Sequence, residues 1–266
     1  MLFRFIAFFT LMFSVALSTA GEKRGGKAVA ELLSMSETVN PGQTIWVAFR
    51  LKADRGWHTY WTNPGEGGMP TSVEWKLPKG WSATPLAFPA PHRFKSMGMN
   101  NIGYEEEIYL FSQVTVPADS AVGPVQLAGK LGWLTCDDEA CIPGEVELLL
   151  PLEVTKAAPR ASEQAETLTE KLNQMPLAVD WNGGVTIDGD NLLFTIVLPE
   201  GTELGKADLL ATQEGICGHG LPTWVRQDNK VTATVAKSEF FEELPKEFKV
   251  LLMGGKLKRP LIVTVK

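Results

Sequence analysis

Several things are scarce in this sequence, and each shortage removes a class of explanation. Beyond Ala20 no stretch stays apolar for the roughly 20 residues a helix needs to cross a bilayer, so no membrane-spanning segment is expected in the mature chain. No block of lysines and arginines occurs and the formal charge is −6, which argues against nucleic acid, whose binding depends on neutralising phosphates with basic side chains. There is no phosphate-cradling glycine motif and no nucleophile elbow, and the plentiful Asp and Glu show no spacing that singles out a hydrolytic pair. No cofactor is implied. Cysteine is scarce too: of three, only Cys136 and Cys141 lie close together, and no thioredoxin-type Cys-x-x-Cys segment is present.

The chain opens with MLFRFIAFFTLMFSVALSTA, where Arg4 precedes an apolar run from Phe5 to about Leu17 and small residues follow at Ser18 and Ala20. Residues 1–20 read as a secretory signal peptide, the apolar run being short for a membrane anchor. Arg4 is the only charge in that stretch, so its removal takes the formal charge to −7. The remaining residues, about 245, are ample for a core and suit two domains better than one. In an oxidising compartment cysteines pair and persist, and three of them leave one pair and one thiol as the simplest arithmetic.

From Val29 to Val154 the sequence reads as strands separated by turn chemistry. Gln43–Ala53 is rich in β-branched and aromatic residues after the turn signal Asn40-Pro41-Gly42, and further strands are expected at Ser72–Leu77, Glu107–Val116, Val125–Thr135 and Glu145–Val154. Short strands at this spacing, with no long helical pattern among them, point to an antiparallel β-sandwich. The stretch PRASEQAETLTEKLNQMP changes character: Leu168 and Leu172 sit four apart, and a helix is expected over Ser162–Gln174 between Pro159 and Pro176. After it, Asp188-Gly189-Asp190-Asn191 marks a hairpin turn between β-rich runs, strand patterns continue to the C-terminus, and SEFFEELPKE suits a helical turn.

Cys136 and Cys141 stand at the end of an expected strand and the start of a turn closed by Pro143-Gly144, a spacing that permits a disulfide. As a staple the bond is inefficient: chain-entropy bookkeeping gives roughly 2 kcal/mol for so small a loop, against roughly 4.7 kcal/mol for a loop of about 100 residues. As a redox pair it sits beside Asp137-Asp138-Glu139, whose negative charge disfavours a thiolate. Such a pair would react mainly when a docking partner changes its surroundings. The residues alone leave staple and switch both open.

Taken together, GWHTYWTNPGEGGMP (Gly56–Pro70), FPAPHRF (Phe88–Phe94), IGYEEEIYL (Ile102–Leu110) and WLTCDDEACIPGEVELLLPL (Trp133–Leu152) resemble the N-terminal periplasmic domain of the DsbD and ScsB thiol:disulfide interchange proteins, over roughly residues 28–155. The resemblance implies an immunoglobulin-like sandwich that carries electrons as a dithiol/disulfide and passes them to oxidised periplasmic proteins. It implies Cys141 as the cysteine that forms mixed disulfides with partners and Cys136 as its intramolecular mate. It also implies a cap loop over them near Phe94-Lys95-Ser96-Met97-Gly98-Met99, with Phe94, Met97 and Met99 as its candidate cap residues. The partners implied are thioredoxin-like periplasmic proteins. This sequence departs from the full-length family pattern in lacking the membrane-embedded electron conduit and the thioredoxin-like segment, so the implied electron source is a separate membrane reductase. The C-terminal part resembles the extra sandwich of the ScsB-like branch only faintly.

Other candidates carry weaker signals. Trp57, His58, Tyr60 and Trp61 suit core or rim packing, or a platform that buttresses the cysteine turn. Met69, Met97 and Met99 with His92 suit either a soft metal such as Cu(I) or an apolar cover over the disulfide. Cys217, two residues before His219, suits a buried or merely unpaired thiol better than an intermolecular disulfide or a zinc site, which wants three or four protein ligands. The expectation is therefore an all-β protein of two immunoglobulin-like sandwiches, residues 28–155 and 177–266, joined by a short helical linker over 156–176. Its expected function is periplasmic thiol–disulfide exchange, with a copper-binding module and a non-catalytic interaction protein as the alternatives.

Overall fold

The computed structural model describes residues 21–266, and the expected signal peptide, residues 1–20, lies outside the described residues. The chain is all-β. Its first part holds a five-stranded sheet in the order β1 (Lys23–Gly25), β2 (Ala28–Ser34), β4 (Thr44–Ala53), β10 (Glu107–Thr115) and β7 (Ser82–Ala83). Facing it is a four-stranded sheet in the order β3 (Thr38–Val39), β12 (Cys141–Val154), β11 (Gly123–Cys136) and β6 (Ser72–Lys76). A small third sheet, β5 (Thr59–Gly65), β9 (Met99–Tyr104) and β8 (His92–Ser96), closes one end.

Period-two alternation explains the layers. On β12, Val146, Leu148, Leu150, Leu152 and Val154 are buried while Glu145 and Glu147 are exposed, where they meet Lys130 and Lys76. On β4, Val47, Phe49 and Leu51 face the same core, together with Leu127, Leu131 and Trp133 of β11. The opposite face of β4 and β10 is covered as well, which is why β4 reads as a nearly continuous apolar run. Ala48 and Phe111 pack there against Leu168 and Met175. Leu168 belongs to the helix α1 (Ala165–Asn173), shorter than the expected Ser162–Gln174. Ser162 lies outside the helix because its hydroxyl is committed to the β2 carbonyl of Ser34, 2.5 Å away, and to the N–H of Gln164.

The C-terminal part forms one hydrogen-bonded ladder of seven strands: β15 (Ala207–Ala211), β18 (Phe248–Gly254), β19 (Leu261–Val265), β13 (Leu177–Asp188), β14 (Asn191–Val197), β17 (Lys230–Ala236) and β16 (Thr223–Gln227). Its register breaks between Val179 and Gly183 of β13, where the strand passes from β19 to β14. The two halves of the ladder share a core that includes Leu192, Phe194, Ile196, Val250, Leu252 and Val263. The expected hairpin is present, with Asp188 opposite Asn191 and Gly189 at φ 54°. SEFFEELPKE forms a single turn, closed by the Phe241 N–H on the Ser238 carbonyl, and no helix; Phe240 is exposed. The two parts are packed together through the same alternation: Val250 and Leu252 point into the second core, while Leu251 and, from β15, Leu210 reach the first.

The β11–β12 hairpin is tightest where it approaches the cysteines. A Cβ at the buried Gly144 would lie 2.5 Å from the indole of the fully buried Trp133 and 2.8 Å from the Gly25 carbonyl. Neither neighbour can yield. Gly144→Ala is therefore expected to destabilise the chain by about 1–3 kcal/mol through overpacking, read as a lower urea midpoint by tryptophan fluorescence. An unchanged midpoint would contradict this packing.

Candidate functional site: a disulfide beneath a β-hairpin

Cys136 and Cys141 are the last residue of β11 and the first of β12, paired directly opposite each other, with Cα atoms 4.1 Å apart and a disulfide between them. The four residues between them form a tight turn in which Asp137 accepts, through Oδ1, the N–H groups of Glu139 and Ala140, both at 2.8 Å. These two donors hold the Asp137 carboxyl below its usual range. Asp137 thus shapes the turn, while Asp138 and Glu139 stand exposed beside it.

The two sulfurs are not equivalent. Cys136 is 1% exposed, whereas Cys141 is exposed. The burial of Cys136 does not come from the sandwich core. Along β11 the core face is taken by Leu127, Leu131, Trp133 and Thr135, which leaves Cys136 on the opposite face. What covers that end is the third sheet. His58 bridges Cys136 through both backbone groups, its N–H to the Cys136 carbonyl at 2.9 Å and the return bond at 3.1 Å. The His58 ring, 5% exposed, hydrogen-bonds Tyr60 through Nε2 at 3.0 Å and meets the Phe94 ring edge-on at 4.5 Å.

The expected cap is a regular β-hairpin rather than an irregular loop. β8 and β9 pair from His92 with Gly103 to Ser96 with Met99, and the two turn residues, Met97 and Gly98, have φ of 54° and 77°. A two-residue turn that follows strand twist requires positive φ at both positions. The non-glycine Met97 is an unfavoured occupant there, which is why the sequence signals no hairpin. On the face toward the cysteines, Phe94 covers His58 and the Ser96 hydroxyl donates to the Asp137 carbonyl at 3.0 Å.

The other candidates separate. Trp61 is core, Trp57 lies beneath the Lys27 ammonium, and His58 with Tyr60 forms the buttress. The methionines are spread along the rim: Met97 at the hairpin tip and Met69 are about half exposed, while the Met99 thioether lies over Gly67. His92 Nε2 is engaged by Glu105 at 2.9 Å, and among the described residues no group of three or more His, Cys, Asp or Glu could hold a metal ion. Cys217 is an unpaired thiol that packs against the second core, with burial pushing its pKa up to about 12. Sequence reasoning misses Ser96, because nothing local marks it, and Arg93, whose partner Asp208 lies 115 residues away at 2.7 Å.

The site thus joins one buried and one exposed cysteine by a disulfide at a strand end beside the β8–β9 hairpin. Residues 30–153 match the family described as "Thiol:disulfide interchange protein DsbD, N-terminal". The match spans just under half of the chain. Among solved structures, the N-terminal periplasmic domain of ScsB from Proteus mirabilis is similar in fold, with TM-score 0.64 at 18% identity, covering 90% of this chain and 93% of that one. The likeness therefore extends beyond the first domain into the second. The major pilin subunit BcpA of Bacillus cereus aligns over 90% of this chain and 67% of its own at 10% identity, with a TM-score of 0.28 that carries no argument. No curated protein sequence matches. No helix among the described residues is long and apolar enough to cross a membrane.

Burial holds the His58 imidazole below its ordinary pKa of 6.5. Below that pH an unfolded chain protonates this histidine before the folded chain does. Stability is therefore expected to fall as pH drops from about 6.5 toward the folded value. NMR titration of the His58 ring should give a midpoint below 6.5, and a midpoint at or above it would contradict a buried neutral ring.

Proposed function

We propose that the first domain is a periplasmic electron relay that passes reducing equivalents from a separate membrane reductase, through the Cys136/Cys141 dithiol, to oxidised thioredoxin-like proteins. The observation that carries this reading is the asymmetry of the pair: a buried Cys136 beside an exposed Cys141, next to the β8–β9 hairpin. In the reduced domain the Cys141 thiolate attacks one sulfur of the partner's disulfide, forming a mixed disulfide and releasing the partner's other sulfur as a thiolate. Cys136, as thiolate, then attacks Cys141 Sγ. The Cys136–Cys141 bond re-forms, the second partner sulfur leaves, and two electrons have moved to the partner. Return to the dithiol takes two electrons from the donor by the reverse sequence of bonds.

The roles differ because access differs, and exchange is an in-line attack on an accessible sulfur. Phe94, Met97 and Met99 are the cap residues in this reading: Phe94 covers the site through His58, while Met97 and Met99 give the rim an adaptable apolar surface. Periplasmic residence follows from the signal-peptide reading of residues 1–20 and from the family of the first domain.

With Cys136→Ala, the remaining Cys141 thiol is expected to be trapped as a mixed disulfide with a thioredoxin-like partner, while Cys141→Ala should trap poorly. Non-reducing gels measure both. Equal trapping by the two variants would remove the assigned roles, and none by either, with a validated partner present, would leave a sandwich with a short disulfide.

Charge beside the turn makes a further difference. Asp138 and Glu139 are exposed and repel an approaching thiolate, whereas Asp137 is needed for the turn. Asp138→Asn with Glu139→Gln should therefore speed reduction by a small anionic thiol about two- to tenfold at low ionic strength, and less as salt screens the charges. Stopped-flow rates that do not change, or that change equally at all salt concentrations, would show that the acids do not control access.

A further inference from the structure

The cap hairpin lies between two partners. Residues alternate along β8, so Phe94 and Ser96 face the cysteine turn while Arg93 projects from the opposite face. There Arg93 meets the second domain. Its guanidinium donates through Nε and Nη2 to the two carboxylate oxygens of Asp208 at 2.7 and 3.0 Å, and through Nη1 to the His219 carbonyl at 3.0 Å. Both ion-pair side chains are mostly buried, at 19% and 13% exposure. The returning strand is held on that side too. Asn100 donates its backbone N–H and its amide to Glu66 at 2.6 and 2.8 Å, and Glu66 faces His219 of the second domain at 3.9 Å. Asn63, on the strand next to the hairpin, donates to the carbonyls of Ala211 and Gln213.

The ties on the two faces are unequal. Toward the cysteines the hairpin is held by one neutral hydrogen bond and an aromatic contact. Toward the second domain it is held by a forked, charge-assisted pair, the stronger kind of bond. The return strand β9 is paired with β5, so lifting from the cysteines falls to the tip and to the edge strand β8, which is gripped by Asp208 near its base and lightly latched near its end.

We propose that the second domain is the brace of the cap, with Arg93 and Asp208 as positioning residues that restrain the hairpin and so restrict which thiols reach Cys141. This inference rests on the reading of the pair as an exchange centre. Breaking the Arg93–Asp208 pair loosens β8, the hairpin strand that pairs with β9 alone while β9 is also held by β5, so the already exposed Cys141 side of the disulfide becomes more accessible to small reagents without a docked partner.

The test uses the mature full chain with Asp208→Asn, Arg93→Gln and the double variant, and with dithiothreitol as the probe. Each single variant is expected to raise amide hydrogen exchange across residues 92–104 and to speed reduction of Cys136–Cys141 at least about threefold, and the double variant to do no more than either single one, as coupled residues do. Arg93→Lys, which keeps the charge but loses the fork, should fall between wild type and Arg93→Gln. Arg259→Gln, which cuts the bond from the second domain to the Met175 carbonyl without touching the hairpin, should change neither readout. If the Arg93–Asp208 pair only glues the domains together, the variants will lower thermal stability and leave the reduction rate and the exchange of 92–104 as in wild type, which overturns the brace. Should Asp208→Asn fail to fold, Arg93→Lys carries the same comparison. Faster reduction in the variants, with no mixed disulfide formed by wild type with any thioredoxin-like partner, would keep the brace and remove the relay.

Discussion

The β11–β12 ladder runs without a break from Gly123 paired with Val154 to Cys136 paired with Cys141, and its register decides where both sulfurs point. Leu127, Leu131 and Trp133 on one strand and Val146, Leu148 and Leu150 on the other are buried in the first core. A slip of one residue would turn all of them to the opposite face, so the core pins the register strongly. Once it is pinned, both cysteines must stand on the outer face at the strand end. The fold cannot bury them in its own core. It buries one of them with a second structure, the bridge from His58 and the hairpin above it.

This division of labour would let the disulfide open and close, as the proposed relay requires, without disturbing the sandwich. The bond closes a small loop, so its hold on the unfolded chain is worth roughly 2 kcal/mol by chain-entropy bookkeeping. The ladder behind it is fixed by apolar residues on the face opposite the cysteines. A bond between distant strands would stabilise more and would be harder to break and remake. The position of the pair at a ladder end, outside the core, favours turnover over stapling.

How much of this was legible in the sequence follows from the range of each interaction. The strands of the first sandwich, the helix around Leu168 and the Asp188–Asn191 hairpin follow from periodicity and turn residues within a few positions. The close pairing of Cys136 with Cys141 is local in the same way. His58 beside Cys136 is not, because a single backbone bridge joins residues 78 positions apart only after β5 has found its place. β5 itself contains Asn63-Pro64-Gly65, which reads as a turn; Pro64 is tolerated in the strand because β5 and β9 lose register between Tyr60 and Gly65. The cap hairpin is hidden by Met97, which occupies a left-handed turn position that Asn or Gly would have advertised.

The second domain shows why long-range chemistry stays silent longest. Asp208 is one of many acids, and Arg93 sits in FPAPHRF with no local partner. The packing of Leu210 and Leu251 against the first core, with the Asn63 bonds to Ala211 and Gln213, brings β15 alongside β8, and the same alternation that turns Leu210 toward that core governs its neighbours on the strand. The apolar contact fixes the distance between the domains, and the ion pair then becomes possible at low cost because its groups are already held in place. Hydrophobic packing therefore sets the geometry, and the charged pair converts that geometry into control of the hairpin. The order matters for specificity: a surface pair between mobile groups is worth little, whereas a forked pair between elements already docked can restrain a moving part without having to assemble the domains itself.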